Sequence, residues 1–196
     1  MKHTDFSQLN GSPADVERLK QLYAQHEHMP YVSPQRDLAL WLDKAAMTSG
    51  EAVPKRNMLK TEEGYLPGHI IILWRVQFGT YDNQTVISKY FEYDYGIDAK
   101  ADIEDLIKDG LVDVMTAKES LIYMTAPLLK KWLKDKGVAG YSKFKKDELV
   151  EAVQTAYTEE EIGQKCALRG YRRTEKGEQV LANNQYVIDK HPKKKF

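Results

Sequence analysis

The sequence predicts a mainly α-helical protein with a small β-hairpin. Three observations lead there. Capped apolar stripes at three- and four-residue spacing recur along the chain, starting near Ser12, Ser33, Asp98, Thr125, Ser142 and Thr174. Glycines, Gly110 and Gly137, stand where two of these stripes stop, as a left-handed helix end requires. Two short runs, Leu111-Val112-Asp113-Val114 and Ser120-Leu121-Ile122-Tyr123-Met124, have strand character and lie close enough to pair.

Ser12 is a natural N-cap, Pro13 suits the first helical position and Asp15 the first turn; Val16, Leu19 and Tyr23 follow on one face. The pattern stops at His26-Glu27-His28-Met29-Pro30. Ser33-Pro34 predicts a second start, with Leu38, Trp41 and Leu42 as its apolar stripe. Residues 48–56 are polar and contain Gly50 and Pro54, the composition of a linker. Pro67-Gly68 ahead of the apolar run 70–78 favours a helix there, since periodicity alone does not separate a buried helix from a buried strand. Asp98 caps a helix with Ile103, Leu106 and Ile107 on its core face. Helix, glycine and hairpin in that order is the layout of the second half of a winged helix. Further on, Gly170-Tyr171-Arg172-Arg173 predicts an extended piece leading into a helix capped by Thr174. The expected division is a helical pair and linker over 1–58, a central helical region with the hairpin over 59–124, a two-helix module over 125–157, and a strand, helix and basic tail over 158–196 packing back on the central region.

Composition narrows the function. The 196 residues are 42% hydrophobic, enough for a core without metal or disulfide staples. The single cysteine, Cys166, forbids an intramolecular disulfide and fits a reducing, cytoplasmic setting. Residues 1–5 have no apolar leader character, and the longest apolar run, Ile70-Ile71-Ile72-Leu73-Trp74, is far short of the ~20 residues a span needs. No membrane role is expected. The formal net charge is zero, with 29 basic and 29 acidic residues, yet the charges are segregated. Eight acids and two lysines occupy 92–113, whereas seven lysines and one acid occupy 127–146. Such blocks predict local patches with separate roles, or blocks that pair with each other across the fold.

Catalytic patterns are missing. No phosphate loop, zinc-protease helix or dinucleotide fingerprint occurs, so neither an enzyme nor a cofactor is expected. His26-x-His28 lacks the further ligands of a metal site and predicts a polar loop. Asp94, Asp98 and Asp102 carry no nuclease spacing. Tyr90, Phe91, Tyr93 and Tyr95 are interleaved by Glu92 and Asp94, which repel phosphate, so this cluster predicts core or a protein-contact surface spanning 90–113. Cys166 beside Ala167 and Leu168 predicts a packing thiol in a helical stretch.

The informative segment is 125–157. Thr125 and Pro127 open a helix with Leu129, Trp132 and Leu133 on one face and Lys130, Lys131 and Lys134 on another. Gly137 ends it, and Ser142 is the expected cap of a second helix with core face Leu149, Val150, Val153 and Tyr157. Lys143, Lys145 and Lys146 then crowd the start of that helix, where each like-signed charge costs on the order of 0.3–1 kcal/mol against the dipole. Folding does not require this arrangement; a bound phosphate explains it, and a solvated surface that tolerates lysine is the other reading. Arg169, Arg172, Arg173 and Lys176 are candidates for a second phosphate contact or for a solvated surface; Arg172, Arg173 and the terminal lysines Lys193, Lys194 and Lys195 would extend the footprint.

The run Leu129-Lys130-Lys131-Trp132-Leu133-Lys134-Asp135-Lys136-Gly137-Val138, followed by Gly140-Tyr141-Ser142-Lys143-Phe144-Lys145-Lys146-Asp147-Glu148-Leu149-Val150, resembles the helix–extended loop–helix modules of SAP domains. It resembles the N-terminal domain of the Rho transcription terminator still more closely. SAP domains carry a Ser-Gly-x-Lys loop, and Phe144 stands where that glycine would be. More loosely, residues 64–191 are similar to small phage- and mobile-element-encoded proteins bearing a SAP-like module. The similarity lies in Gly64-Tyr65-Leu66-Pro67-Gly68-His69, Tyr90-Phe91-Glu92-Tyr93-Asp94-Tyr95-Gly96-Ile97, Asn183-Asn184-Gln185-Tyr186-Val187-Ile188 and His191. The SAP and Rho N-terminal resemblances imply weak nucleic-acid binding or simple docking and no catalysis, while the looser similarity implies a phage or mobile-element context rather than a chemistry. The expected function is non-enzymatic nucleic-acid binding, DNA before RNA, in a bacterial cytoplasm. A protein-interaction role for the acidic, aromatic 90–113 surface, as in a virion-assembly or host-modulating factor, is the other expectation.

Overall fold

The structure is a computed structural model and describes residues 3–48 and 52–192. The chain is mainly helical with one two-stranded sheet, and its described residues fall into two compact units. The first takes the described parts of Met1–Arg75, Val86–Val112 and Arg173–Phe196; the second takes Val76–Thr85 and Asp113–Arg172. Among the described residues no helix is long and apolar enough to cross a membrane.

In the first unit, α1 (Pro13–Leu22) opens on a reciprocal capping box: Ser12 Oγ accepts from the Asp15 N–H at 3.2 Å, and the Asp15 carboxylate accepts from the Ser12 N–H at 3.0 Å. It packs on α2 (Leu38–Met47). That helix starts later than Ser33-Pro34 predicts. Its N-cap is Asp37, whose carboxylate accepts from the Leu40 N–H at 3.0 Å. The reason is tertiary: Glu92 accepts from the Ser33 N–H at 2.8 Å and pairs with Arg36 at 2.7 Å, holding residues 33–36 in a turn. Of the expected linker, residues 49–51 lie outside the described chain, and Lys55–Met58 forms a 3-10 turn.

The Pro67-Gly68 expectation holds. α3 (Pro67–Val76) buries Ile70, Ile71, Ile72 and Leu73 completely, and a helix enclosed all round needs no amphipathic pattern. α4 (Tyr90–Tyr93) follows, then α5 (Ala99–Lys108), capped by Asp98 and ended by Gly110 at φ 73°.

The small sheet is present, but its second strand is not the one expected. β1 (Val112–Val114) pairs with β2 (Tyr171–Arg173) through Met115 N–H to Gly170 O at 2.9 Å and Thr174 N–H to Leu111 O at 3.1 Å, an antiparallel register. Residues 120–124 are not a strand: Glu119–Tyr123 is a 3-10 turn. Thr116 and Glu119 cap that turn reciprocally, Glu119 Oε2 accepting from the Thr116 N–H at 2.8 Å and Thr116 Oγ1 from the Glu119 N–H at 3.2 Å. The winged-helix layout therefore keeps its helix, glycine and first strand, while most of the second unit lies in the chain where a tight turn was expected. After β2 come α9 (Glu175–Asn183), capped by Thr174, and α10 (Gln185–Asp189). Gly177 is required by packing, since a Cβ there would lie 2.1 Å from Leu111 O.

The second unit is built on α6 (Ala126–Asp135), α7 (Lys146–Ala156) and α8 (Glu159–Lys165). Leu129, Trp132 and Leu133 meet Leu149, Val150, Val153 and Tyr157 in one apolar cluster that Leu121, Met124 and Ile162 complete. The Tyr157 hydroxyl donates to Trp132 O at 2.7 Å and ties the end of α7 to α6. Cys166 follows α8 rather than lying within it; half-buried, its Sγ is 3.9 Å from Met124 Sδ, a packing contact.

Candidate nucleic-acid interface

The α6–α7 pair sets the position of every lysine singled out in the module. Because α6 spends Leu129, Trp132 and Leu133 on the core, Lys131 and Lys134 are left on the solvent face and Lys130 at its edge. Gly137 at φ 72° and Gly140 at φ 85° let the chain reverse within a few residues into the 3-10 turn Tyr141–Lys143. Lys130 Nζ donates to Ser142 O at 2.8 Å, which brings the α6 lysine row beside the turn carrying Lys143.

Ser142 is not the cap of α7. The turn closes with Phe144 N–H to Tyr141 O at 3.1 Å, and the helix begins three residues after Lys143, with Lys145 as N-cap. A lysine side chain has no acceptor, so it satisfies none of the first-turn N–H groups. Glu148 accepts from the Lys145 N–H at 2.6 Å, but the N–H groups of Lys146, Asp147 and Glu148 meet no acceptor among the described residues. Lys143, Lys145 and Lys146 thus stand beside a row of unsatisfied donors and the positive end of an 11-residue helix.

How the charges are compensated separates the candidates. Lys130, Lys131, Lys134, Lys143, Lys145 and Lys146 form no ion pair among the described residues. Lys146 Nζ is spent on Ile122 O at 2.6 Å, a neutral partner. Lys136, by contrast, reaches Glu161 at 2.5 Å and lies 4.6 Å from the Tyr157 ring centre. The two arginines resemble Lys136. Arg172 pairs with Glu119 at 2.5 Å and stands 3.8 Å from Asp113, and Arg173 stands 3.9 Å from Glu178. The Thr116 N–H and then Arg172 hold the Glu119 carboxyl below its usual range. Lys193, Lys194 and Lys195 lie outside the described residues.

Other constellations resolve into packing. His26 Nε2 meets Val53 O at 2.8 Å and its ring stands edge-on to Tyr23, and no group of three potential metal ligands occurs among the described residues. Phe91 and Tyr95 are buried, while Tyr93 lies 4.1 Å from the Arg36 guanidinium. One dyad escaped sequence reading: buried His69 lies 3.2 Å from fully buried Asp102. It is structural. His69 Nδ1 accepts from the Leu66 N–H at 3.2 Å, so Nε2 carries the proton and donates to Asp102, leaving no nitrogen free to take one from a substrate. The sequence signal was the third position of the helix after Pro67, where a side chain can reach back to the N-cap N–H. No protein-family model, curated protein or solved structure matches the chain.

Proposed function

We propose that the protein is a non-enzymatic nucleic-acid-binding protein of phage or mobile-element origin, acting in the cytoplasm. In this reading the α6–α7 pair lies along a phosphate backbone, with DNA preferred to RNA and little preference for sequence. The observation that carries the reading is the uncompensated charge: six lysines on one helix–turn–helix pair, none in an ion pair among the described residues, next to unsatisfied N–H groups at the start of α7. Phosphate satisfies the donors, the dipole and the lysines together. The resemblance of residues 129–150 to SAP and Rho N-terminal modules supports a nucleic-acid target. Lys131, Lys134, Lys143 and Lys145 are the leading contacts. Lys130 and Lys146 join by exchanging a carbonyl for a phosphate, and Arg172 and Arg173 join only by giving up a carboxylate.

Fluorescence anisotropy with labelled duplex DNA, single-stranded DNA and RNA tests this between about 50 and about 200 mM salt. With four to six phosphate contacts, log affinity for duplex falls with log salt at a slope of roughly −4 to −5. Replacing Lys143, Lys145 and Lys146 by Ala flattens that slope by roughly 2–3. Absence of binding at the lowest salt overturns the reading and leaves the acidic surface of 90–113, with its protein partner, as the alternative.

A further inference from the structure

The first unit holds a cavity of about 470 Å3 whose lining comes from three separate stretches of chain. Arg56 belongs to the 3-10 turn Lys55–Met58, Lys60 follows it, Asp94 and Tyr95 follow α4, and Tyr186 and Lys190 come from α10 and its end. Apart from Asn57, the rest of the wall is apolar and includes three prolines, which gives it flat, rigid faces.

The segments that carry the polar groups are held together. Asn57 Nδ2 donates to Asp94 O at 2.6 Å, fixing the turn that carries Arg56 against the segment that carries Asp94. Tyr95 is anchored by its 2.7 Å hydrogen bond to His191 Nδ1, and the His191 ring is flanked by those of Trp74 and Tyr90 at 5.3 and 5.2 Å. Lys190 Nζ lies 5.4 Å from the centre of the half-exposed Tyr186 ring. Arg56 and Lys60 are exposed and form no ion pair among the described residues. Burial pushes the Asp94 carboxyl up, with His191 opposing.

Three cations against one carboxylate leave the lining with two positive charges, which matches a phosphomonoester at about −1.5 to −2 near neutral pH. A lone carboxylate beside that cationic set supplies the complementary function, an acceptor for sugar hydroxyls or an exocyclic amine. The Tyr186 face and the proline walls suit a flat ring, and the volume falls in the range of small-molecule sites, about 300–1,000 Å3. We propose that this cavity binds a nucleoside monophosphate, with Arg56, Lys60 and Lys190 on the phosphate, Asp94 on the ribose or base edge, and Tyr186 against the ring. The site lies in the first unit and does not depend on the lysines of the α6–α7 pair.

Isothermal titration calorimetry of the full chain with AMP, adenosine and inorganic phosphate tests it. AMP binds saturably at one site, and adenosine and phosphate each bind at least about tenfold more weakly, because each lacks half of the recognised chemistry. The double change Arg56→Glu, Lys60→Glu, at exposed unpaired positions, lowers AMP affinity at least about tenfold while circular dichroism and the unfolding midpoint stay unchanged. The triple change Lys143, Lys145, Lys146→Ala leaves AMP affinity unaltered. No saturable heat with AMP up to about 5 mM overturns the proposal. So does equal affinity of the Arg56→Glu, Lys60→Glu protein, or a loss of AMP binding in the triple variant.

Discussion

The two units place their polar residues differently. The first is cross-linked by polar pairs between segments far apart in sequence: Arg36 with Glu92, His69 with Asp102, Tyr95 with His191, and Glu63 with Asn183 and Asn184. The second closes over an almost wholly apolar cluster from consecutive helices and leaves its lysines outside. A polar pair at the edge of a core stabilises only one arrangement, because any other leaves a desolvated group unmatched. An apolar core tolerates more arrangements and places no demand on the surface. In the first unit polar pairs therefore tie distant segments together, whereas in the second the six lysines of the α6–α7 pair stay outside the apolar cluster without an ion pair among the described residues.

Three changes break or sharpen that contrast. The largest effect is expected from Leu133→Ala, at a fully buried position of the second unit, costing about 4 kcal/mol through lost transfer energy and a cavity. Hydrogen exchange should show the amides of α6 and α7 opening first, with those of α1 and α2 little changed. Next is Glu92→Gln, which leaves Arg36, its side chain only 7% exposed and its guanidinium 4.6 Å from the Trp41 ring centre, without its counter-charge. It should cost about 3 kcal/mol in denaturant titration, with α2 losing protection first. A cost under about 1 kcal/mol would show that polar cross-linking does not hold the first unit together. Smallest is the pH effect at Glu63, whose carboxyl is lowered to about 2 by hydrogen bonds from Asn184 and then Asn183. A depressed folded-state pKa adds stability that is present above the unfolded value of about 4.3 and is lost as pH falls toward 2. The stability gap between the native chain and Glu63→Gln should accordingly narrow across that window in acid titrations. As Glu63 is largely exposed, the change should stay below that of either other variant.

Local signals were legible where the chain makes its own contacts. The Ser12 capping box, the Asp98 cap with its Gly110 stop, and the α6 and α7 core faces follow from residues within a few positions of one another. Departures from expectation each trace to a partner distant in sequence or to a competing local cap. Ser33 lost its capping role to Glu92, and Ser142 was displaced by the Tyr141–Lys143 turn and by Glu148. Residues 120–124 have the composition of a strand, yet Thr116 and Glu119 start a helical turn just before them, and β1 pairs with β2 instead.

The candidate sites divide along the same line. Lys130, Lys131 and Lys134 were visible because three- and four-residue spacing places them on one helix face, and Lys143, Lys145 and Lys146 because they crowd the start of the next helix. Which of them lack a counter-charge was not visible, since Arg172 and Lys136 look no different in sequence and find carboxylates only in the fold. The Arg56, Lys60 and Lys190 cavity had no sequence signal, because its walls are brought together by Asn57 on the Asp94 backbone and Tyr95 on His191. Sequence alone determined the helices whose caps and core faces are self-contained, such as α1 and α5, since those depend on neighbours within one turn. Tertiary structure alone decided which charges are compensated and where a cavity opens, since both depend on groups that meet only when distant segments pack.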